Sequence, residues 1–544
     1  MNNPQQLFSY HVFLFPFQWK YTGEKFKDTL IEEKNKLSDF IFALKNSKWK
    51  REQFEIKTIL EYNEANYFYD FVRDILYDFK KPENKDNNPD DTFIAHFEYQ
   101  IPSDTVHYKI KTAKVEYKLL IDSILLHLYS TGIGVLSFHL NNRDENQSKE
   151  DDILKINQFG RRIYPPFFGL DVDITGTQAQ FNYDDFKKGL EFVKYSELAK
   201  TIEIEGIAHE EFLDYTNPNN FKNGLFIIPD FIKKLFPANL LTTKLIDDTS
   251  NETKIHIAPV LDDRMFVICW YGNKEILNRL RLNSFQKGRF QNRLLLLSDD
   301  WFYKFLFVDG EFKTCQNDKM TKELLEKHTN LRWLNYGTIF GLSRYSFVCL
   351  TNDLSNLKNN RAAFLLNHVQ TLYYKLVELC LVQRACILKF SDEVTEISGF
   401  IKKNEKHLSD KVSSLYKQYI RFVNKIYFRE VTAQEQGIEL YNLLQEHMKL
   451  KDQVKDLDDE ISELHNYMEM QEQRSENKVI TLLTKLTAIF LPASLIAGIF
   501  GMNSFELKSE NINWNILSFS LILITASIAT AIIWLNLKIK QIKR

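Results

Sequence analysis

LIAGIFGMNSFEL, residues 495–507, stands between two apolar segments near the end of a 544-residue chain. The first segment ends at Gly501-Met502-Asn503. From Leu486 to Asn503 there are 18 residues without a charge, roughly 27 Å of helix at 1.5 Å per residue, enough to cross a bilayer core. From Trp514 to Leu537 there are 24 more. Trp514 and Trp534 would lie about 30 Å apart on a helix, the spacing of two interfacial aromatic belts. The alternative is a pair of buried core helices; segment length, Trp placement and terminal position favour membrane spans. The last residues, KIKQIKR (538–544), are basic, whereas the intervening loop (504–513) carries Glu506, Lys508 and Glu510. A basic end belongs in the cytoplasm. Two spans return the chain to its starting side, so the expectation is a multi-pass inner-membrane protein with both termini cytoplasmic.

The rest of the composition agrees. Phe is abundant (43 residues), aromatic content is 14%, and Gly and Pro are scarce, which suits a helix-rich globular chain and not long disorder. A net charge of −2 gives no electrostatic reason to bind nucleic acid. Cys269, Cys315, Cys349, Cys380 and Cys386 form no C-x-x-C pair and read as reduced thiols in the cytosol. The first 20 residues have no basic region and no small-residue cleavage site; HVFLFPF (11–17) reads as a first strand, not a signal peptide.

Residues 1–355 read as an α+β cytosolic domain. IHIAPV (255–260), MFVICWY (265–271), TGIGVLSFHL (131–140) and TIFGLSRYSFVCL (338–350) have strand composition. WFYKFLFV (301–308), followed by Asp309-Gly310 and EFKTC, predicts a hairpin. Helices are expected over 25–46 and 53–80, with loops at 81–91, 141–152 and 216–223. From about 356 to 478 the pattern is helical, with helices expected over 360–403 and 406–430. Leu443, His447, Leu450, Val454, Leu457, Ile461, Leu464 and Met468 then follow a 4-3-4-3 heptad spacing. No Pro interrupts 432–491, so one stalk helix is expected to run from 432 into the first membrane span at 479–503. Between 451 and 478 it carries nine acids and four bases, net 4 − 9 = −5. That is a solvated face, or, in a ring of parallel helices, a cation-concentrating mouth.

A long helix running into TAIFLPASLIAGIFGMN, then an acidic loop, a second span (514–537) and a basic tail (538–544), resembles the CorA magnesium-transporter superfamily. The resemblance is strong over roughly 475–544 and extends back to about 360. It implies a funnel-shaped homopentamer in the lipid bilayer, conducting divalent cations of the magnesium type, with the first span lining the pore. Gly501, Met502, Asn503 and Glu506 would form the ion entrance. Magnesium gives up its waters reluctantly, so a ring of neutral Asn503 oxygens suits a hydrated ion better than a trapping ring of charges. Counting back from Gly498 in helical steps gives Ser494, Leu491, Thr487 and Leu483 as the pore row. Leu483 and Leu491 would be apolar constrictions; Thr487 and Ser494 would offer hydroxyls, or else satisfy backbone groups near Pro492. The chain departs from the family in lacking a Pro-Glu pair in the outer loop. Asn442 and Asn466 also stand where magnesium-sensing acids are expected. That bears on self-regulation, not on conduction.

The cytosolic part is larger than such a transporter needs, and in size and divergence it resembles the CorA-like membrane effectors of type III CRISPR systems. There a nucleotide second messenger would gate the pore in antiviral defence. Lys274, Arg279, Arg281, Lys287, Arg289 and Arg293 are the candidate anion-binding residues; a solvated basic face is the plainer reading. Arg161 and Arg162 in FGRRIYPPFFG (159–169) are weaker candidates. A third reading is a membrane-anchored coiled-coil scaffold that conducts nothing. No Walker loop, G-x-S-x-G or H-E-x-x-H occurs, so no enzyme and no covalent cofactor is expected. HEEF (209–212) reads as helix surface and His447 as a core histidine.

Overall fold

HVFLFPF folds inside a 14-residue strand, β1 (Ser9–Thr22). The computed structural model describes residues 6–22, 36–78, 92–112, 114–163, 199–211, 228–237, 241–242, 254–261, 264–352 (less 282, 287–288 and 293–294), 363–401 and 408–501, and beyond these only 520, 523–524, 527–528 and 531. It divides into two compact units, Met1–Glu460 and Ile461–Arg544, a division that does not coincide with the boundary expected at 355.

The first unit is built on one sheet. Its strands are β1, β2 (Trp49–Glu52), β3 (Ile94–Tyr99), β4 (His107–Lys111), β5 (Glu116–Tyr129), β6 (Ile133–Asn142), β7 (Thr201–Ile204), β8 (Ala208–Glu211), β9 (Leu241–Thr242), β10 (Lys254–Pro259) and β11 (Phe266–Gly272). A separate hairpin, β12 (Asn283–Gln286) and β13 (Arg289–Asn292), precedes the last three strands, β14 (Thr329–Asn330), β15 (Thr338–Leu342) and β16 (Ser346–Thr351). The order is β14-β15-β16-β11-β1-β6-β5-β4-β7-β8, antiparallel along this path except for β11 beside β16.

The two long strands each serve two partners on one edge. β11 registers with Ser9–Leu14 of β1 and β10 with Phe17–Thr22. Phe15 and Pro16 fall in the gap between them, where a residue without an N–H does least harm to the ladder. The strands expected at 255–260 and 265–271 both form, yet they pair with β1 and not with each other. β5 likewise gives its first half to β4 and its last half to β3.

Thirteen α-helices accompany these strands among the described residues: α1 (Leu37–Leu44), α2 (Ile59–Tyr67), α3 (Asp70–Leu76), α4 (Glu150–Gly160), α5 (Asp230–Lys233), α6 (Lys274–Leu280), α7 (Asp300–Phe307), α8 (Asp318–Lys327), α9 (Ala363–Gln370), α10 (Leu372–Ile401), α11 (Leu408–Lys425), α12 (Glu435–His447) and α13 (Leu450–Gly501). They cover both faces of the sheet. Odd-numbered residues of β1, from Phe13 to Tyr21, join the main apolar core with α1, α4 and α5. Even-numbered Tyr10, Val12 and Leu14 are buried on the opposite face, where α10 crosses β1 and β6. With helices on both sides, all ten residues of β6 are buried, which explains its unbroken apolar run.

Several local expectations are corrected. WFYKFLFV is helix α7, not half of a hairpin. Asp299 caps it by accepting from the Phe302 N–H at 2.8 Å, and Val308 ends it at φ 58°. A short run in which only Lys304 is charged has no period that separates strand from helix; the cap decides. HEEF begins in edge strand β8, not on a helix. The region 53–80 is two short helices broken at Phe68–Tyr69, and the stalk is broken at Lys449, whose φ is 55°. The loops expected at 81–91 and 216–223 lie outside the described residues.

Candidate functional site on the long helix

α13 runs for 52 residues from Leu450 to Gly501, about 78 Å. Its seam residues Leu450, Val454, Leu457, Ile461, Leu464 and Met468 are buried, at the heptad positions expected. Upstream of Lys449 the seam changes: Leu440, Tyr441, Leu444 and Met448 are buried in α12, while Leu443 and His447 are only half-buried. The αL residue rotates the register between the two helices. At Asp458 the carboxylate meets the Tyr419 hydroxyl of α11, so this end of the seam is engaged by the chain's own helices. All nine acids between 451 and 478 are at exposed positions.

Beyond residue 478 the helix presents apolar surface. Leu483 and Leu491 are 56% and 60% exposed. With Ile480, Thr484, Thr487 and Pro492 they line a shallow groove of about 460 Å³ along one helix face. Leu483, Thr487, Leu491, Ser494 and Gly498 thus follow one another along α13 as the helical count expects. The Thr487 hydroxyl donates to the Leu483 carbonyl at 2.9 Å and the Ser494 hydroxyl to the Leu491 carbonyl at 3.0 Å. Their protons are therefore used within the helix, as the backbone-satisfying alternative expects, while oxygen lone pairs remain as acceptors. Pro492 removes one N–H and frees the Ala488 carbonyl. A Cβ on Gly498 would meet nothing within 4 Å. Gly501 is the last residue of α13; Met502, Asn503 and Glu506 lie outside the described residues.

Of the basic stretch, the side chains of Lys274, Arg279 and Arg281 are described. Lys274 and Arg279 sit on α6, but the Arg279 guanidinium is held by Glu150 at 2.9 Å and by Asp299 at 3.5 Å. Arg281 caps the end of α6, Arg289 begins β13, and Lys287 and Arg293 lie outside the described residues. Arg161 is buried at the end of α4 and donates to the Val308 carbonyl.

Two histidine clusters escaped sequence reading. Between α10 and the sheet, His127 and Tyr129 of β5 converge on Glu378. His127 Nδ1 makes a short hydrogen bond to Oε1, and the Tyr129 hydroxyl donates to the same oxygen at 3.2 Å. The Lys375 ammonium sits 3.1 Å from Oε2. Burial works against ionising Glu378, yet His127 and Lys375 hold its carboxyl well below the ordinary range. Burial lowers the His127 imidazole against the pull of Glu378, so it serves as a neutral N–H donor. The second cluster is a stacked pair, His328 and His447, described below. Both join residues more than 100 positions apart, and no local spacing announces them. Among the described residues no group of three or more His, Cys, Asp or Glu could hold a metal ion.

The fold and this helix define a class: a mixed α/β unit followed by a long helix that carries an exposed, increasingly apolar face. Residues 384–541 match the family described as CorA-like Mg2+ transporter protein. No curated protein matches the chain. The solved CorA magnesium transporter from Methanocaldococcus jannaschii is similar over 36% of this chain and 69% of its own, at 16% identity and a TM-score of 0.22, too low to bear on the fold. Among the described residues no helix is long and apolar enough to cross a membrane, and most of 514–537 lies outside them.

Proposed function

We propose that this protein is a CorA-type divalent-cation transporter of the magnesium type, a homopentamer in the inner membrane gated through its first unit. The observation that carries the reading is α13 itself. It runs unbroken from its buried seam to Gly501 of the Gly-Met-Asn triplet, and presents Leu483, Thr487 and Leu491 along one open groove. In the proposed assembly 479–503 and 514–537 are the spans. A ring of Leu483 and Leu491 would be a dewetting constriction; Thr487 and Ser494 oxygens would accept from waters of a hydrated ion. Asn503 carbonyl oxygens would contact that ion at the entrance without stripping its shell. The exposed acids of 452–476 would raise the local cation concentration.

The test is ion flux into liposomes containing the purified chain, scanning magnesium and zinc, with and without nucleotides. Magnesium flux abolished by Asn503→Ala is expected. Unchanged flux in Asn503→Ala removes the pore assignment, and a dimer or trimer by mass measurement favours the non-conducting scaffold. The salt links on Arg279 weigh against a nucleotide second messenger bound at 274–293; flux that appears only with nucleotide would restore the defence-effector reading.

A further inference from the structure

α12 is gripped along its length by the segment joining α8 to β15. The Arg332 Nε–H donates to both Glu439 oxygens at 2.9 Å, and the Asn330 amide donates to Glu439 at 2.9 Å. Lys327 pairs with Glu446 at 3.4 Å. At the end of this row the rings of His328 and His447 lie stacked, centroids 3.8 Å apart and planes 14° from parallel. The Phe307 ring of α7 packs 5.1 Å from His328.

Backbone carbonyls set the tautomers. His328 Nδ1 donates to the Leu342 carbonyl at 2.7 Å. His447 donates to the carbonyl of Lys327, and since its buried Nε2 has no hydrogen-bond partner, Nδ1 is the donor. The His447 ring is therefore neutral, with the proton on Nδ1, and burial favours the neutral form of His328. A proton added at Nε2 of either puts a cation against a stacked ring, next to the Lys327 ammonium and with only Glu446 in compensation. Two positions on, Lys449 adopts φ 55°, and α13 starts at Leu450.

We propose that the His328–His447 stack is a proton-operated latch, whose protonation unstacks the rings, releases the carboxyl end of α12 and frees the Lys449 joint from which α13 begins. Burial, then the neighbouring His328 and Lys327, lower His447 to about 3, and burial lowers His328. The sign follows: the closed latch holds neutral rings, while a released imidazole titrates near 6.5. The latch is complete above about pH 6.5 and weakens as pH falls. At pH 5 the His447 ring alone shifts the ratio of open to closed about 30-fold towards open.

The test is hydrogen exchange of the full chain in detergent at pH 7.5 and pH 5, corrected for intrinsic rates, read in peptides covering 445–452. Exchange there is expected to rise about 30-fold at pH 5. In the His328→Phe/His447→Phe double variant, rings without a titratable nitrogen keep the stack and the rise disappears. No rise in the natural chain, or the same rise in the double variant, overturns the latch. Should the double variant not fold, histidine NMR on the natural chain decides: a His447 ring titrating at its ordinary value overturns the latch, and one that stays neutral to pH 5 supports it. Any effect on flux rests on the transport reading, but the exchange measurement does not. A chain that carries no cations and still loosens at 445–452 removes the transporter and keeps the latch.

Discussion

Glu378→Leu tests the polar network beneath α10. The carboxylate is 1% exposed and holds three partners: the Lys375 ammonium, the His127 N–H and the Tyr129 hydroxyl. Removing it leaves a buried cation unpaired, which costs about 3–5 kcal/mol. Lys375→Met strands the anion instead, and a cost of about 3 kcal/mol is expected, because His127 and Tyr129 still serve the carboxylate. The double variant Lys375→Met/Glu378→Leu removes both charges. Only His127 and Tyr129 then lose an acceptor, so its cost should fall to about 1–3 kcal/mol, well below the sum of the singles. Denaturant titration of the full chain in detergent, followed by tryptophan fluorescence, measures this, because Trp19 and Trp270 are fully buried in the same sheet. The carboxyl is held below its ordinary value of 4.5, so its contribution is complete above that pH and is lost as pH falls further. Costs that simply add, or single variants below about 1 kcal/mol, would refute the claim that the pair is a coupled buried charge network.

Lys449→Gly should stabilise the chain by about 0.5–1 kcal/mol, because an exposed lysine at φ 55° carries a strain that glycine does not; a lowered unfolding midpoint contradicts this. Gly134→Ala should destabilise by about 1–3 kcal/mol, since the new Cβ would lie 2.4–2.9 Å from the Phe17 ring in a closed core; thermal unfolding reads it. Burial lowers His11 to about 4, so folding favours its neutral form. Stability should be flat above about pH 6.5 and fall by about 2–3 kcal/mol towards pH 4.5 on account of this group, a slope that His11→Gln should reduce in pH-dependent denaturation.

The strand segments 11–17, 131–140, 255–260, 265–271 and 338–350 were legible because they are rich in β-branched and aromatic residues. Their partners were not. Pairing depends on chain segments hundreds of residues apart, so nothing within 255–260 or 265–271 shows that both pair with β1. WFYKFLFV misled because every residue in it but Lys304 is aromatic or aliphatic, and a single Asp299 cap outweighs the composition. That Leu483, Thr487 and Leu491 share one helix face was legible from helical spacing alone. Whether the Thr487 and Ser494 hydroxyls bond backbone carbonyls stayed open, because that depends on side-chain rotamers. The Arg279 links show the same limit: a run of bases says nothing of the acids, Glu150 and Asp299, that fold onto it.

By itself the sequence determined local features: the uncharged runs around Gly501-Met502-Asn503 and the heptad seam that is buried from Leu450 to Met468. A stretch without charge and a 3.5-residue period both show in a short window of the chain. Tertiary structure alone decided where Glu378 meets His127 across 251 residues, where His328 stacks on His447, and where the stalk breaks at Lys449. Those outcomes depend on which surfaces compete for one buried volume. A polar side chain removed from water takes the partner that the fold brings to it, whatever lies beside it in the chain.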